Sequence, residues 1–499
     1  MTAGAKAGKE FAVVEATIDD IHVAYRDGRL TARALVQAYL DRIEAYDRNG
    51  PKLNSVISLN SEALAEADRL DALAKNGQWA GPLHGIPLLL KDQIDVKGMR
   101  TTLGSILFKD FAPDRDGFVV RKLKSAGAIV LGKVTLGELG GGDTHSSLFG
   151  STRNVYDPDR TAGGSSGGSG VAVSANFCTA SLGQEGFSSI RRPSIWNGIV
   201  GMRPSIGLVS RSGVYNGWPT LNGSVGPMAR TVADLARLMD CIVGFDPEDP
   251  STAHGCGRTP ESYYALLTKD GLKGARLGIL REVVGYDSEP DSADFKKVDD
   301  VFNRAIAELR QAGAEIVDPI VIPDLKALLA KRARSGEDDE TMYQLYMAGT
   351  QTPFRTRADV AASPLFKQVV PGSQKRFLDA PSPERQLGDH RARAMLMTNL
   401  LKVMAEHRLD AIIHKAVEHQ PTLIKDGVNA PFVDQKGAPH INTFLMSVPS
   451  IVVPAGYTSD NLPAGITFLG RPYSDDKMIQ LAFAYEQATK HRRPPATTP

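Results

Sequence analysis

Cysteine is scarce in this chain of 499 residues: Cys178, Cys241 and Cys256 are odd in number and show neither CxxC nor Cys/His spacing. That argues against a disulfide framework and against a zinc site. An excess of one charge is also missing. The 58 Lys+Arg and 57 Asp+Glu leave a formal net of +1, with no basic field for nucleic acid and no charged tail. Long apolar runs are absent too. The opening residues, MTAGAKAGKEFAVVEATIDD, lack the apolar stretch of roughly 7–15 residues that a secretory signal needs, so the expected location is cytoplasmic. The uncharged stretch 437–459 is broken by Pro439, Pro449 and Pro454, which disqualifies it as a membrane helix.

What remains is an ordinary globular composition, 42% hydrophobic and 23% charged, able to bury a core. Glycine is plentiful at 48 residues, and much of the excess sits in one window. Residues 161–184 hold 24 positions without a charge: six Gly, five Ser, two Thr, one Asn, one Gln and nine apolar residues. Nine are too few for a membrane span, which takes ~20 predominantly apolar residues.

The first 75 residues read as a helical arm. Thr31 is a candidate N-cap, followed by Leu35, Val36, Tyr39, Leu40 and Ile43 on one face. A charged helix over 61–74 follows. Ile86–Leu90, a helix near 118–125 and Ala128–Leu131 then form a strand–helix–strand unit with parallel strands. The alternation returns at 276–280, 295–312 and 314–317. Between these units, residues 140–230 show few strong elements, and stretches of that kind are usually functional. Residues 321–400 read as a helical insertion over a site; strands at 409–413, 450–453 and 465–469 and a helix at 475–489 complete the chain.

Two serine-bearing turns, Gly163–Ser169 and Gly186–Arg191, flank the uncharged window. Glycines let a backbone approach closely and aim successive N–H groups inward, as an oxyanion requires. A flexible linker is disfavoured because the first turn runs straight into Val171-Ala172-Val173. Gly163-Gly164-Ser165-Ser166-Gly167 satisfies G-x-S-x-G, but no strand precedes Ser165, so a nucleophile elbow fails on context. A phosphate-binding loop fails because no Lys-Ser/Thr follows the glycines. Serine needs a base to become a nucleophile. His84 and His145 carry no distinguishing pattern and read as structural. Lys91 ends a buried strand, where desolvation lowers an amine's pKa; the competing reading is an ion pair with Asp92 or Asp95.

Together these residues resemble the amidase signature family of serine amidohydrolases. The similarity runs through Leu83–Pro87 to Lys91-Asp92, Gly150–Asn154, Gly163–Ser169, Ser189-Ile190-Arg191-Arg192-Pro193, Gly198–Pro204, Gly226–Val232, Val453–Gly456, Gly470-Arg471-Pro472 and Tyr485-Glu486. The resemblance implies an α/β fold, an α/β/α sandwich whose mixed central sheet is covered by helices. Within it, 1–75 would be the N-terminal helical arm, 76–320 the core with the catalytic loops, 321–400 the insertion and 401–499 the rest of the sheet and the closing helix.

It further implies a Ser-Ser-Lys triad of Ser189 as nucleophile, Ser165 as relay behind a cis peptide bond, and Lys91 as base. The oxyanion hole would be the N–H groups of Gly186, Phe187, Ser188 and Ser189, with no metal and no other cofactor. The family's turn Thr-Asp-x-Gly-Gly-Ser stands here as Gln184-Glu185-Gly186-Phe187-Ser188-Ser189. The replaced glycines leave Ser188 as a competitor for the nucleophile. The 24-residue spacing from Ser165 and the following Ile190-Arg191-x-Pro193 favour Ser189. Phe187, with Tyr215 and Trp218 nearby in sequence and Ser166 in the first turn, suggests contacts to a bulky or aryl substrate.

The expected partner is a small amide or carbamate, with neither nucleic acid nor membrane involved, and a homodimer is compatible with the sequence. Two other readings stay open: the glutamine-amidase component of a transamidating complex, and a non-catalytic protein using the Gly/Ser loops as an anion nest.

Overall fold

The computed structural model describes residues 11–214, 223–333, 353–354, 356–378, 382–429 and 433–499. Thirteen strands follow one another along them: β1 Val56–Leu59, β2 Pro87–Lys91, β3 Ile129–Val134, β4 His145–Ser146, β5 Gly150–Ser151, β6 Ala180–Glu185, β7 Val200–Arg203, β8 Ser224–Ala229, β9 Arg276–Leu280, β10 Glu315–Ile320, β11 Ala411–Lys415, β12 Ser450–Tyr457 and β13 Pro463–Leu469. Eleven of them form a single mixed sheet in the order β1-β3-β2-β6-β8-β7-β12-β13-β11-β9-β10. Pairing is parallel along β3-β2-β6 and β11-β9-β10 and antiparallel elsewhere. Helices flank this sheet, as the resemblance implied.

The apolar runs behave as their patterns predict. Leu88, Leu89 and Leu90 of β2 and Ile129 and Leu131 of β3 have no exposed surface, as expected of parallel strands covered on both faces. Thr31 caps the helix Ala32–Arg42 by accepting the Ala34 N–H, a contact worth about 1 kcal/mol. Leu35, Val36 and Tyr39 on that helix are fully buried. On the helix Ala293–Gln311, Ser292 is the cap, and Phe295, Val298, Val301, Phe302, Ala305, Ile306 and Leu309 are buried at helical spacing.

Two expectations need correction. The N-terminal segment is not wholly helical: β1 lies within it and pairs antiparallel with β3 at one edge of the sheet. Residues 140–230 are not poor in structure. They supply β6, β7 and β8 at the centre of the sheet, with the helices Gly167–Ser174 and Arg191–Trp196 between.

These strands escape a propensity reading because small residues replace β-branched ones, and the packing requires it. A Cβ on Gly183 would stand 2.9 Å from Met228 Sδ and from Ser166 Oγ, and one on Gly201 would stand 2.0 Å from Ser194 Oγ. Helix and sheet approach too closely here for larger side chains.

The segment between β10 and β11 docks through a separate apolar cluster, in which Val360, Phe366, Val369 and Phe377 meet Leu103, Leu107, Phe108 and Leu139. Glu138 clasps it by accepting the Val370 N–H at 2.7 Å, while its own carbonyl accepts the Ser373 hydroxyl.

Candidate active site

β2 and β6 are parallel neighbours, with Leu90 opposite Leu182. That register delivers Lys91, the last residue of β2, to the end of β6, where the chain turns into the 186–189 loop. Lys91 is fully buried; its Nζ lies 2.7 Å from Ser165 Oγ and donates to the Gln184 carbonyl at 3.2 Å.

The competing reading, an ion pair with Asp92 or Asp95, is not what forms. Asp92 pairs with Lys133 at 3.0 Å, both fully buried, and takes the Thr102 N–H and hydroxyl. Asp95 accepts the Thr101 hydroxyl at 2.9 Å, and burial raises its carboxyl to about 6. Burial likewise pushes the Lys91 amine well below the ordinary lysine range, and the Glu185 charge opposes this only in part. A buried amine without a carboxylate ligand is the form that can accept a proton near neutral pH.

The Gly163–Ser169 turn is held from two sides. The Gly164–Ser165 peptide is cis. Arg192 donates to the Gly164 carbonyl through Nη2 at 2.7 Å and Nε at 3.2 Å, and its Nη1 stands 2.9 Å from Asp143. Gly137 donates its N–H to the Ser165 carbonyl at 2.9 Å. The two serine turns meet backbone to backbone, the Ser166 N–H donating to the Ser189 carbonyl at 3.0 Å. The Ser165 and Ser189 hydroxyls make no hydrogen bond to each other among the described residues.

Glu185, which carries no recognisable task in the sequence, organises the second turn. Its Oε2 accepts the N–H groups of Ile190 at 2.9 Å and Arg191 at 3.0 Å, and its Oε1 accepts Arg191 Nε at 2.7 Å. Arg203 Nε stands 4.0 Å from the same oxygen, and all three side chains are fully buried. With the carboxylate capturing the N–H groups after the turn, those of Gly186, Phe187, Ser188 and Ser189 have no acceptor among the described residues.

Of the two adjacent serines, Ser189 keeps 8% of its surface exposed, whereas Ser188 keeps 1% and its hydroxyl has no partner among the described residues.

The expected substrate contacts fare differently. Ser166 is fully buried and its hydroxyl lies between the Gln184 carbonyl and N–H, at 3.3 and 3.4 Å, which gives it a structural task. Tyr215 and Trp218 lie outside the described residues. Phe187 does not offer a free ring: His440 stacks on it at 5.5 Å and 14°, and the Arg332 guanidinium stands 4.1 Å from its centroid. His84 and His145 are structural as read, His84 accepting the Ala80 N–H at 3.0 Å and His145 meeting Ser151 at 2.8 Å.

The roles of Arg192 and Glu185 in shaping the turns escape a sequence reading because the groups they hold there, the Gly164 carbonyl and the 190–191 N–H groups, carry no side-chain signature. Among the described residues no group of His, Cys, Asp and Glu could hold a metal ion, and no helix is long and apolar enough to cross a membrane.

A mixed α/β sheet with a buried lysine and two serine turns at the ends of its central strands defines a class, the amidohydrolases that act on carbon–nitrogen bonds. Residues 34–479 match the family model described as Amidase, and the chain belongs to that family. It is 34% identical to a probable amidase of Arabidopsis thaliana over 97% of this chain and 92% of that protein. It is 31% identical to a component of the glutamyl-tRNA(Gln) amidotransferase of Thermosynechococcus vestitus, over 96% and 99%. The crystal structure of native peptide amidase from Stenotrophomonas maltophilia superposes with a TM-score of 0.85 at 35% identity, covering 97% of this chain and 99% of that one.

Proposed function

We propose that this amidase hydrolyses small uncharged amides, including aryl amides and carbamates, through an acyl-enzyme on Ser189. The observation that carries the reading is Lys91, fully buried, bound to no carboxylate among the described residues, with its amine 2.7 Å from the Ser165 hydroxyl. In this reading the neutral amine accepts the Ser165 proton while Ser165 takes the proton of Ser189, whose Oγ attacks the substrate carbonyl. Proton transfer of this kind typically contributes ~10²–10⁴ in rate.

Negative charge then develops on the carbonyl oxygen. The N–H groups of Gly186, Phe187, Ser188 and Ser189 are its donors, each worth ~10²–10³ when lost. Collapse of the tetrahedral species breaks the C–N bond, and the amine leaves with the proton returned by Lys91 through Ser165. Water repeats the sequence on the ester and frees the acid, regenerating Ser189.

The test is labelling by a serine-directed phosphonate with peptide mapping, paired with turnover of amides, anilides, carbamates, esters and peptide amides. The expected label is on Ser189 and disappears in Ser189→Ala along with turnover. Label on Ser165 or a histidine, with Ser189→Ala fully active, overturns the assignment. The similarity to the amidotransferase component favours one competing reading, which glutaminase activity and a partner retained through purification would establish.

A further inference from the structure

We infer that the Phe187 side chain is a positioning group that holds the 186–189 loop in its donor geometry by stacking on His440. The inference rests on the proposed role of that loop and deepens it. The ring is 8% exposed. His440 covers one face at 5.5 Å and 14°, Tyr286 meets it nearly edge-on at 6.2 Å and 78°, and Arg332 Cζ stands 4.1 Å from its centroid. Aromatic pairs and cation–ring contacts in such geometry add attraction beyond the area they bury.

A second tie reaches the same place through the backbone. Arg191 Nη2 donates both to the Phe187 carbonyl at 3.2 Å and to the Pro439 carbonyl at 3.4 Å, so the loop is joined to the 439–440 turn by ring and by main chain. That turn has its own hydrogen-bonded support. Residues 284–286 and 437–440 form a short ladder, with Gly437 N–H to Tyr286 O at 2.7 Å, Tyr286 N–H to Ala438 O at 2.9 Å and His440 N–H to Val284 O at 3.3 Å. Behind it the buried Glu418 accepts the N–H groups of Val284 at 2.9 Å and Gly285 at 3.0 Å and the Ser288 hydroxyl at 2.5 Å.

A loop whose four N–H groups have no acceptor among the described residues needs an external support, because unpaired donors do not hold their own orientation. Phe187 supplies that support from a platform more than 250 residues further along the chain. The contribution of His440 is the face of a neutral ring: burial lowers its imidazole to about 4, and Nδ1 has no hydrogen-bond partner among the described residues.

The test compares Phe187→Leu, His440→Ala and His440→Phe by amide hydrogen exchange at Ile190 and Arg191, the loop-end N–H groups that Glu185 holds, and by kinetics on the best substrate. Phe187→Leu and His440→Ala are expected to exchange about tenfold faster at these two positions, with kcat down about 10–100-fold and KM within about twofold, since the loss falls on the transition state. His440→Phe is expected to match the parent in both. Unchanged exchange at these positions in Phe187→Leu, or activity lost in His440→Phe as fully as in His440→Ala, overturns the inference. Absence of phosphonate label on Ser189 in the parent defeats the serine reading separately, while the exchange comparison still decides whether Phe187 anchors the loop. Should Phe187→Leu fail to fold, the two His440 variants decide it.

Discussion

Replacing Glu185 by glutamine changes one atom in shape and one unit of charge, and the surroundings fix what that costs. The carboxylate is fully buried and takes three bonds: Ile190 N–H at 2.9 Å, Arg191 N–H at 3.0 Å and Arg191 Nε at 2.7 Å. An amide keeps one acceptor oxygen. If that oxygen retains the two backbone donors, its NH2 faces Arg191 Nε, donor against donor. The Arg191 guanidinium is then left in the interior without its counter-ion and with only the carbonyls of Phe187 and Pro439, at 3.2 and 3.4 Å.

Removing one member of a buried ion pair typically costs about 3–5 kcal/mol. At ~1.4 kcal/mol per decade this is two to three and a half decades in the folding equilibrium. Urea unfolding of parent and variant, read by tryptophan fluorescence with a common slope, measures it. Glu185→Gln combined with Arg191→Met is expected to recover most of the loss, because both charges are then gone. A loss below about 1 kcal/mol, or a double variant as unstable as the sum of the singles, would refute the reasoning.

For Lys91→Met, kcat is expected to fall ~10²–10⁴-fold with stability near or above the parent's, because a buried amine gives way to an apolar chain of similar volume. In the parent, kcat/KM should rise with pH through the Lys91 pKa, which burial holds well below 10.5, and an identical acid limb in Lys91→Met would remove the lysine from the mechanism. The folded amine releases its proton at lower pH than the unfolded chain does. Unfolding therefore takes up a proton between those two values, stability climbs with pH across that window, and the methionine variant loses the climb. Gly168→Ala is expected to lower unfolding free energy by about 1–3 kcal/mol, since overpacking has no room to relax. Its Cβ would stand 2.5 Å from both Thr135 O and Thr135 Oγ1, so an unperturbed urea midpoint would contradict that packing.

Legibility in the sequence followed hydrophobic patterning. Leu88-Leu89-Leu90, Ile129-Val130-Leu131 and the stripe of the helix Ala293–Gln311 announce themselves because burial alone selects their residues. The assignment of Lys91, Ser165 and Ser189 came with the family resemblance and not from their types and spacing alone; the structure sets the Lys91 amine 2.7 Å from the Ser165 hydroxyl. β6 and β8 were not legible, since Gly183, Gly226 and Pro227 argue against strands when taken alone, while the two glycines are there to admit close neighbours. Glu185 and Arg192 were illegible for another reason. Much of what they hold is main chain, the Ile190 and Arg191 N–H groups and the Gly164 carbonyl, and a carbonyl or N–H bears no letter in a sequence. The ring of Phe187 was visible, but not the fact that His440 and Arg332 already occupy its faces.

The far edge of the sheet has a consequence for how the molecule meets its copies. β10 reads EIVDPI and, among the described residues, pairs only with β9. Pro319 lacks an N–H to offer, and Glu315 and Asp318 carry ion pairs to Arg276 at 2.7 Å and Arg281 at 2.6 Å. Such an edge is a terminus, not a template. A strand laid against it would meet Pro319, which has no N–H to donate, so a ladder extended from this edge is interrupted there.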